Sequence, residues 1–291
     1  MSSFPKPQVV AEIGCNHKGD FDIALDLSTI AKEAGADYAK FQKRTPKELL
    51  STEAFDAAHP VPYNAYGNSY GEHREFLELS IDQHKALKSH CDAIGIGYAT
   101  SVWDLTSAKE VIQLRPDFIK VPSACNTHIE LLTLLRDDYK GHIHVSLGMT
   151  TKEEEAALMT ILEKEMQRVV LYSCTSGYPV PFDQVYLLEL NRLNKEYGSK
   201  LAAVGFSGHH LGIAIDIAAY TLGATWIERH FTKDRTWKGT DHAASLEPGG
   251  LQKLVRNLQA THASLATKPT DIVDIEVEQR DKLKYNPKSN E

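Results

Sequence analysis

At 291 residues, 42% hydrophobic and 24% charged, the chain can bury a full core as one large domain or two small ones. It has no low-complexity tract, no apolar signal core in residues 1–6 and no run near the ~20 apolar residues of a membrane helix, so disordered, secreted and membrane-spanning classes are disfavoured. A net charge of −7 without a basic stripe argues against nonspecific nucleic-acid binding, and four widely spaced cysteines with no CxxC fit a reducing cytoplasm rather than a disulfide scaffold or zinc ribbon.

Strand-like and helix-like segments alternate from the start. The first strand, 8–14, carries Glu12 inside the apolar run Val9-Val10-Ala11-Glu12-Ile13-Gly14. A helix over 20–35 follows, with Asp20 as its N-cap and Gly35 closing it. The turn between them, Gly14-Cys15-Asn16-His17-Lys18-Gly19, is not GxGxxG, which weakens a dinucleotide-binding reading. His17 is expected to brace this turn. The second strand, 37–42, holds Lys40 and Gln42. Residues 43–71 form a long loop with Pro46, Pro60, Pro62, Gly67 and Gly71, a length typical of a lid or binding loop. Its Tyr63, Tyr66 and Tyr70 are either a substrate cover or ordinary surface tyrosines. A helical pattern over 72–94 breaks near Ser80.

The third strand, 95–101, ends on Ser101, and a helix spans 104–114. The fourth, 117–122, holds Lys120, with Ser123 just beyond, and a helix spans 127–138. The fifth, 142–148, carries Ser146; Thr150-Thr151-Lys152-Glu153 then resembles a capping box opening a helix over 151–166. The sixth strand, 168–174, precedes a helix over 183–197. The seventh, 201–206, leads to Ser207 and His209 and a helix over 211–222. The eighth, 225–231, holds Glu228, Arg229 and His230 before a last helix over 247–264. Eight strand–helix units predict an α/β chain of one domain, a (β/α)8 TIM barrel over residues 1–265, with 266–291 as a C-terminal tail or linker start. An open doubly wound sheet is the alternative.

A charge inside a strand costs several kcal/mol unless it is paired, hydrogen-bonded or neutralised. Charges in four strands therefore imply convergence on an anionic, metal-dependent site at the strand ends. Residues i and i+2 share a face, so Lys40 points with Gln42, Glu228 with His230, and Ser207 with His209 if the strand runs through Gly208. His209 and His230 on adjacent strands suit an open divalent-metal site with Glu228 behind them, whereas either histidine alone is more often structural. His210 and His242 are weaker candidates. Lys40 and Lys120 suit a phosphate or carboxylate, and Ser101, Ser123, Ser146 and Ser207 recur at one level of successive elements, where hydroxyls complete an anion cradle.

Six blocks in order resemble the sialic acid synthase (N-acetylneuraminate synthase) family. They are Ala11-Glu12-Ile13-Gly14-Cys15-Asn16-His17-Lys18-Gly19-Asp20, Ala39-Lys40-Phe41-Gln42, Ile119-Lys120-Val121-Pro122-Ser123-Ala124, Cys174-Thr175-Ser176-Gly177-Tyr178-Pro179, Ile227-Glu228-Arg229-His230-Phe231-Thr232 and Gly239-Thr240-Asp241-His242-Ala243-Ala244-Ser245-Leu246-Glu247-Pro248. The resemblance covers residues 8–265. It implies a TIM barrel that condenses phosphoenolpyruvate with an aldehyde sugar such as N-acetylmannosamine, giving a sialic-type (nonulosonic) acid and phosphate. It implies that Lys40, Ser101, Lys120, Ser123, Ser146 and Ser207 bind phosphoenolpyruvate, and that His209 and His230 hold Mn2+ or Mg2+. It places Glu12, Gln42, Cys125, Ser176, Tyr178 and Asp241 on the sugar side, with Glu12, Asp241 and Tyr178 as catalytic groups. It also implies a homodimer, with a small C-terminal antifreeze-like domain whose linker would begin where this chain ends. Two positions depart from the family pattern. Cys125 stands where an acid is common, and a thiol supplies neither that charge nor its two acceptors. Ser176 stands where Asn is frequent. These departures, with the domain that the chain does not reach, keep open the same chemistry on a phosphorylated or non-N-acetylated sugar; a non-catalytic sugar-binding paralogue is the other alternative, resting on the missing domain alone.

Overall fold

The computed structural model describes residues 4–285. Its strands are β1 (Gln8–Gly14), β2 (Tyr38–Lys43), β3 (Gly97–Val102), β4 (Phe118–Val121), β5 (His142–Ser146), β6 (Val169–Cys174), β7 (Ala203–Gly208) and β8 (Trp226–His230). All pairs are parallel, and β1 pairs with both β2 and β8, closing a barrel in chain order. The open-sheet alternative is thereby excluded. The helices are α1 (Phe21–Glu33), α2 (Pro46–Leu49), α3 (Thr52–Asp56), α4 (Tyr70–Phe76), α5 (Ile81–Ile94), α6 (Leu105–Leu114), α7 (Ile129–Asp138), α8 (Lys152–Ile161), α9 (Glu189–Tyr197), α10 (Ala214–Thr221), α11 (Pro248–Ser264) and α12 (Asp274–Leu283).

The helix boundaries follow local chemistry. Asp20 caps α1 by accepting from the Ile23 N–H at 3.1 Å, and Gly35 takes a left-handed φ of 89° beyond its end. The predicted break near Ser80 is a capping box between Ser80 and Gln83 that starts α5. The second capping box is shifted by one residue from its expected place, using Thr151 and Glu154, because Thr150 is engaged elsewhere by Asn126. Residues 43–71, read as loop, contain the short α2 and α3; Lys43 belongs to β2, and Tyr70 and Gly71 open α4. The polar stretch read as a tail contains α12, a surface helix with no buried residue; residues 286–291 of that stretch lie outside the described residues. No helix among the described residues is long and apolar enough to cross a membrane.

The main core lies between barrel and helices, where outward strand residues such as Ile13, Phe41, Ile119 and Ile227 meet Leu27, Leu87, Leu131 and Leu254. Inside, the N-terminal half of the barrel is plugged by Val10, Tyr38, Ala99, Phe118 and Trp226. The His144 ring stacks on Phe118 with centroids 3.8 Å apart, and its Nδ1 meets the Tyr172 hydroxyl at 3.0 Å. Burial, then the Lys120 charge above it, holds His144 well below its ordinary pKa, so it serves as a neutral packing residue. The plug forces any ligand to enter from the C-terminal mouth.

Candidate active site

Above the plug, the inward residues change from aromatic to ionic. Lys40 forms an ion pair with Glu12 on β1 and donates to Ser101 on β3 at 2.9 Å. Lys120 on β4 pairs with Glu228 on β8 at 2.5 Å and lies 4.5 Å over the Tyr172 ring. Glu228 also lies 3.6 Å from Lys40 and accepts from the Ser207 hydroxyl at 3.1 Å. Two ammonium groups and two carboxylates, all nearly inaccessible, thus cross the lumen from β1, β2, β4 and β8. Burial penalises the Lys40 ammonium, but Glu12 and Glu228 outweigh it and raise its pKa. Burial likewise opposes the Glu228 charge, and Lys120 and Lys40 hold its carboxyl low. Glu228 is therefore a partner of the lysines rather than the support of the histidine pair that strand alternation suggested.

These groups floor a cavity of about 320 Å³ whose wall contains Lys40, Lys120, Gln42, Ser101, Ser123, Ser146, Ser207, Glu12, Ser176, Tyr178, His209 and His230. Backbone geometry brings the walls together at two glycines. Gly14 ends β1 at a register shift with φ of 54°, and a Cβ there would press on Gln42 and Glu12, which are bonded to each other at 2.9 Å. A Cβ on Gly148 would lie 2.3 Å from Ser176 Oγ and 2.7 Å from Ser123 Oγ; the Gly148 N–H donates to Ser123 Oγ at 3.0 Å. The Ser146 hydroxyl is buried in this wall with no partner.

His209 and His230 sit at the rim of the floor, rings 5.5 Å apart, with the Tyr178 ring 4.3 Å from His209 and 5.9 Å from His230. His209 Nδ1 lies 3.0 Å from the Thr175 carbonyl. A carbonyl only accepts, so this nitrogen carries the proton and leaves the Nε2 lone pair free. Burial, then His230, pushes His209 down to about 3, keeping it neutral. His230 Nδ1 is buried without a hydrogen bond, 3.9 Å from Asp241 Oδ2. Burial works against the Asp241 charge, but His230 and Thr240 keep its pKa low. Two imidazoles, one of them 3.9 Å from a carboxylate oxygen, fit a divalent cation. Among the described residues no cluster of three or more His, Cys, Asp or Glu is spaced to hold a metal, so any further ligands would come from water or substrate.

Other expected residues lie elsewhere. Cys125 is buried behind the wall and does not line the cavity; its neighbour Ala124 does. Asp241 is also outside the lining, with its carboxylate 3.9 Å from His230 Nδ1. His210 is buried on the outer face of the barrel with Arg229 and Asp216, and His242 bonds Thr232 Oγ1 at 2.8 Å, so neither joins the histidine pair. His17 does brace its turn, accepting from the Gly19 N–H at 3.1 Å. None of Tyr63, Tyr66 and Tyr70 lines the cavity. Tyr63 is exposed, Tyr70 lies against His73, and Tyr66 stacks on Phe76 and donates to the Lys238 carbonyl at 2.9 Å, tying two loops together.

The wall also holds Trp103, Met149 and Cys174, which sequence reasoning did not single out. Trp103 and Cys174 were accessible in principle, because they fall two residues after Ser101 and Tyr172 on the inward face. Met149 lies in a loop, with φ of 57°, and carried no periodic signal.

A family model described as NeuB family matches residues 27–269. The chain is 35% identical over 276 residues to N-acetylneuraminate-9-phosphate synthase of Mus musculus, covering 94% of this chain and 76% of that protein. It is also 35% identical over 257 residues to N,N'-diacetyllegionaminic acid synthase of Campylobacter jejuni, covering 87% and 76%. A crystal structure of N-acetylneuraminic acid synthetase from Leptospira borgpetersenii serovar Hardjo-bovis superposes with a TM-score of 0.79 at 25% identity, covering 97% of this chain and 94% of the other.

Proposed function

The chain belongs to the NeuB family, and from that premise we propose that it condenses phosphoenolpyruvate with an aldehyde sugar of the N-acetylmannosamine type. The products are a nonulosonic acid and inorganic phosphate. The observation that carries the reading is the pair of buried lysines on the cavity floor, each held by a side-chain carboxylate.

The anionic substrate would take the place of those carboxylates. Lys40 with Ser101, and Lys120 with Ser123, Ser146 and Ser207, supply two cationic centres and four hydroxyls for a phosphate and a carboxylate. This set orients the C3 carbon of phosphoenolpyruvate towards the rim. There Gln42, Tyr178 and Ser176 contact the sugar, with Asp241 behind His230. C3 forms the new bond to the sugar carbonyl carbon, and the carbonyl oxygen takes up a proton. Positive charge develops at C2 and is captured by water; the C2–O bond to phosphate then breaks, leaving the 2-keto acid. Glu12, against Lys40 and Gln42, is placed to stabilise the charge at C2 or to accept a proton from the water, and Asp241 to manage the sugar hydroxyl protons. A divalent cation, Mn2+ or Mg2+, bound by His209 and His230 would polarise the aldehyde as a Lewis acid.

The test is phosphate release from phosphoenolpyruvate with Mn2+, with and without N-acetylmannosamine or its 6-phosphate, followed by mass analysis. Sugar-dependent release with a nine-carbon keto acid is the expected result. No release with any aldehyde sugar overturns the reading.

A further inference from the structure

Arg74, on α4, is a cation without an anion. Its Nη1 donates to the Tyr70 hydroxyl at 3.3 Å, and its guanidinium lies 5.7 Å from the Tyr70 ring and 5.3 Å from the Trp103 ring. It makes no ion pair among the described residues. The neighbouring carboxylates are already engaged. Glu78 receives Arg44 through both oxygens, from the guanidinium Nε at 2.5 Å and the backbone N–H at 2.9 Å. Asp104 caps α6, accepting from the Ser107 N–H at 2.7 Å, the Ser107 hydroxyl at 2.9 Å and the Thr45 N–H at 2.7 Å.

The third neighbour is Cys125. Burial pushes its thiol up to about 12, so it is neutral, and Arg74 is among the charges acting on it. A carboxylate at position 125 would compensate Arg74; a thiol does not. Burial and then the like charge of Arg44 disfavour the Arg74 guanidinium. A half-buried, uncompensated guanidinium beside a second one is costly unless something anionic completes it.

Arg74 is itself outside the cavity lining and meets it through Trp103. Trp103 lines the cavity and is flanked by both guanidiniums, with Arg44 5.5 Å from its ring centroid. The indole Nε1 is buried with no partner. Arg44 also donates to Cys15, which lies 3.9 Å from Gln42 in the cavity. The two guanidiniums therefore adjoin, through Trp103 and Cys15, the side of the mouth that carries Gln42.

We propose that Arg74 is a specificity-determining residue that anchors a phosphate ester on the end of the sugar distal to its aldehyde. A guanidinium presents a planar fork of donors that matches phosphate oxygens in two parallel bonds. This deepens the proposed condensation and rests on it. The lysine floor takes phosphoenolpyruvate, and the Arg74 edge selects a sugar phosphate over the free sugar.

The test compares N-acetylmannosamine with its 6-phosphate in the wild type, R74Q and R74K, by initial rates with phosphoenolpyruvate and Mn2+ and by calorimetric binding of each sugar without turnover. The wild type should prefer the phosphorylated sugar by about 30-fold in kcat/KM, the size expected for hydrogen bonds to a charged group. R74Q should raise KM for the phosphorylated sugar by about that factor, with much smaller changes in its kcat and in the KM for the free sugar. R74K should recover part of the preference, because it keeps the charge and loses the fork. Equal treatment of the two sugars by the wild type overturns the anchor, as does an equal loss on both in R74Q, which would mark Arg74 as purely structural. If R74Q does not fold, the wild-type preference and R74K decide. If neither sugar releases phosphate, the condensation reading fails by itself. Calorimetry then judges the anchor: tighter binding of the phosphorylated sugar that weakens in R74K or R74Q upholds it, and equal binding overturns it.

Discussion

Three consecutive residues of β8 serve two different buried charge clusters. Glu228 and His230 point into the lumen, where Glu228 joins Lys120, Lys40 and Glu12. Arg229 points outward, where it pairs with Asp216 at 2.5 Å and donates to the carbonyls of Gly212 at 2.8 Å and His210 at 2.6 Å. Two of the outer cation's partners are backbone carbonyls, which cannot leave without local unfolding. The lumen cations are bound by side chains alone, which can rotate and yield the lysines to a substrate anion. Both clusters bear the desolvation cost of burial, but only the lumen cluster is built to exchange partners.

The largest way to separate the regions is at the rim. The double variant His209→Ala/His230→Ala should lower metal-dependent turnover by about ten-thousandfold or more, roughly 5 kcal/mol, while the unfolding midpoint stays close to that of the wild type. Full activity in this variant would sink the metal assignment. Next comes the outer cluster. Arg229→Met removes the guanidinium from buried Asp216, leaving only the His210 ring at 3.3 Å beside it, and should cost about 3–5 kcal/mol in urea unfolding. Asp216→Asn added to it should restore part of that loss; if it restores none, the pairing does not set the stability.

Lys120→Ala tests the inner cluster. It should weaken phosphoenolpyruvate binding by about 30- to 150-fold, roughly 2–3 kcal/mol, with a smaller effect on stability than Arg229→Met. A variant that binds phosphoenolpyruvate normally would contradict an exchangeable lysine. The smallest effect belongs to a peripheral pair. Arg192 donates to both Glu155 oxygens at 2.8 Å. Burial opposes the Glu155 charge, but the Arg192 bonds prevail, with Tyr197 and Lys152 adding to them, and its pKa is lowered. A depressed folded pKa means that the stabilisation is complete above the unfolded value of about 4.3 and is lost as pH falls through the folded value. Acid titration of wild type against Glu155→Gln should show this loss, at most about 1 kcal/mol, only in the wild type. Parallel acid profiles would refute it.

Much of the site was legible because strand geometry is local. A period of two placed Lys40 with Gln42 and Glu228 with His230, and the structure keeps both pairs on the cavity wall. The same rule set Arg229 apart from its neighbours, although its charge alone had suggested convergence. Loop side chains have no period, so the sequence left Tyr63, Tyr66 and Tyr70 between a substrate cover and surface tyrosines; none lines the cavity, and Tyr66 has its partners at Phe76 and Lys238.

Neighbours a few residues apart decide the alternation of strands and helices, the caps of α1 and the face on which strand residues such as Lys40, Gln42, Glu228 and His230 lie, and these were readable in the sequence. Barrel closure decided the rest. It brought Glu12 of β1 to Lys40 of β2, and Glu228 of β8 across the lumen to Lys120 of β4. It put Cys125 behind the wall and Arg74 beside Trp103. Contacts between residues so far apart in the chain follow from strand order, register and loop packing, which no local period encodes.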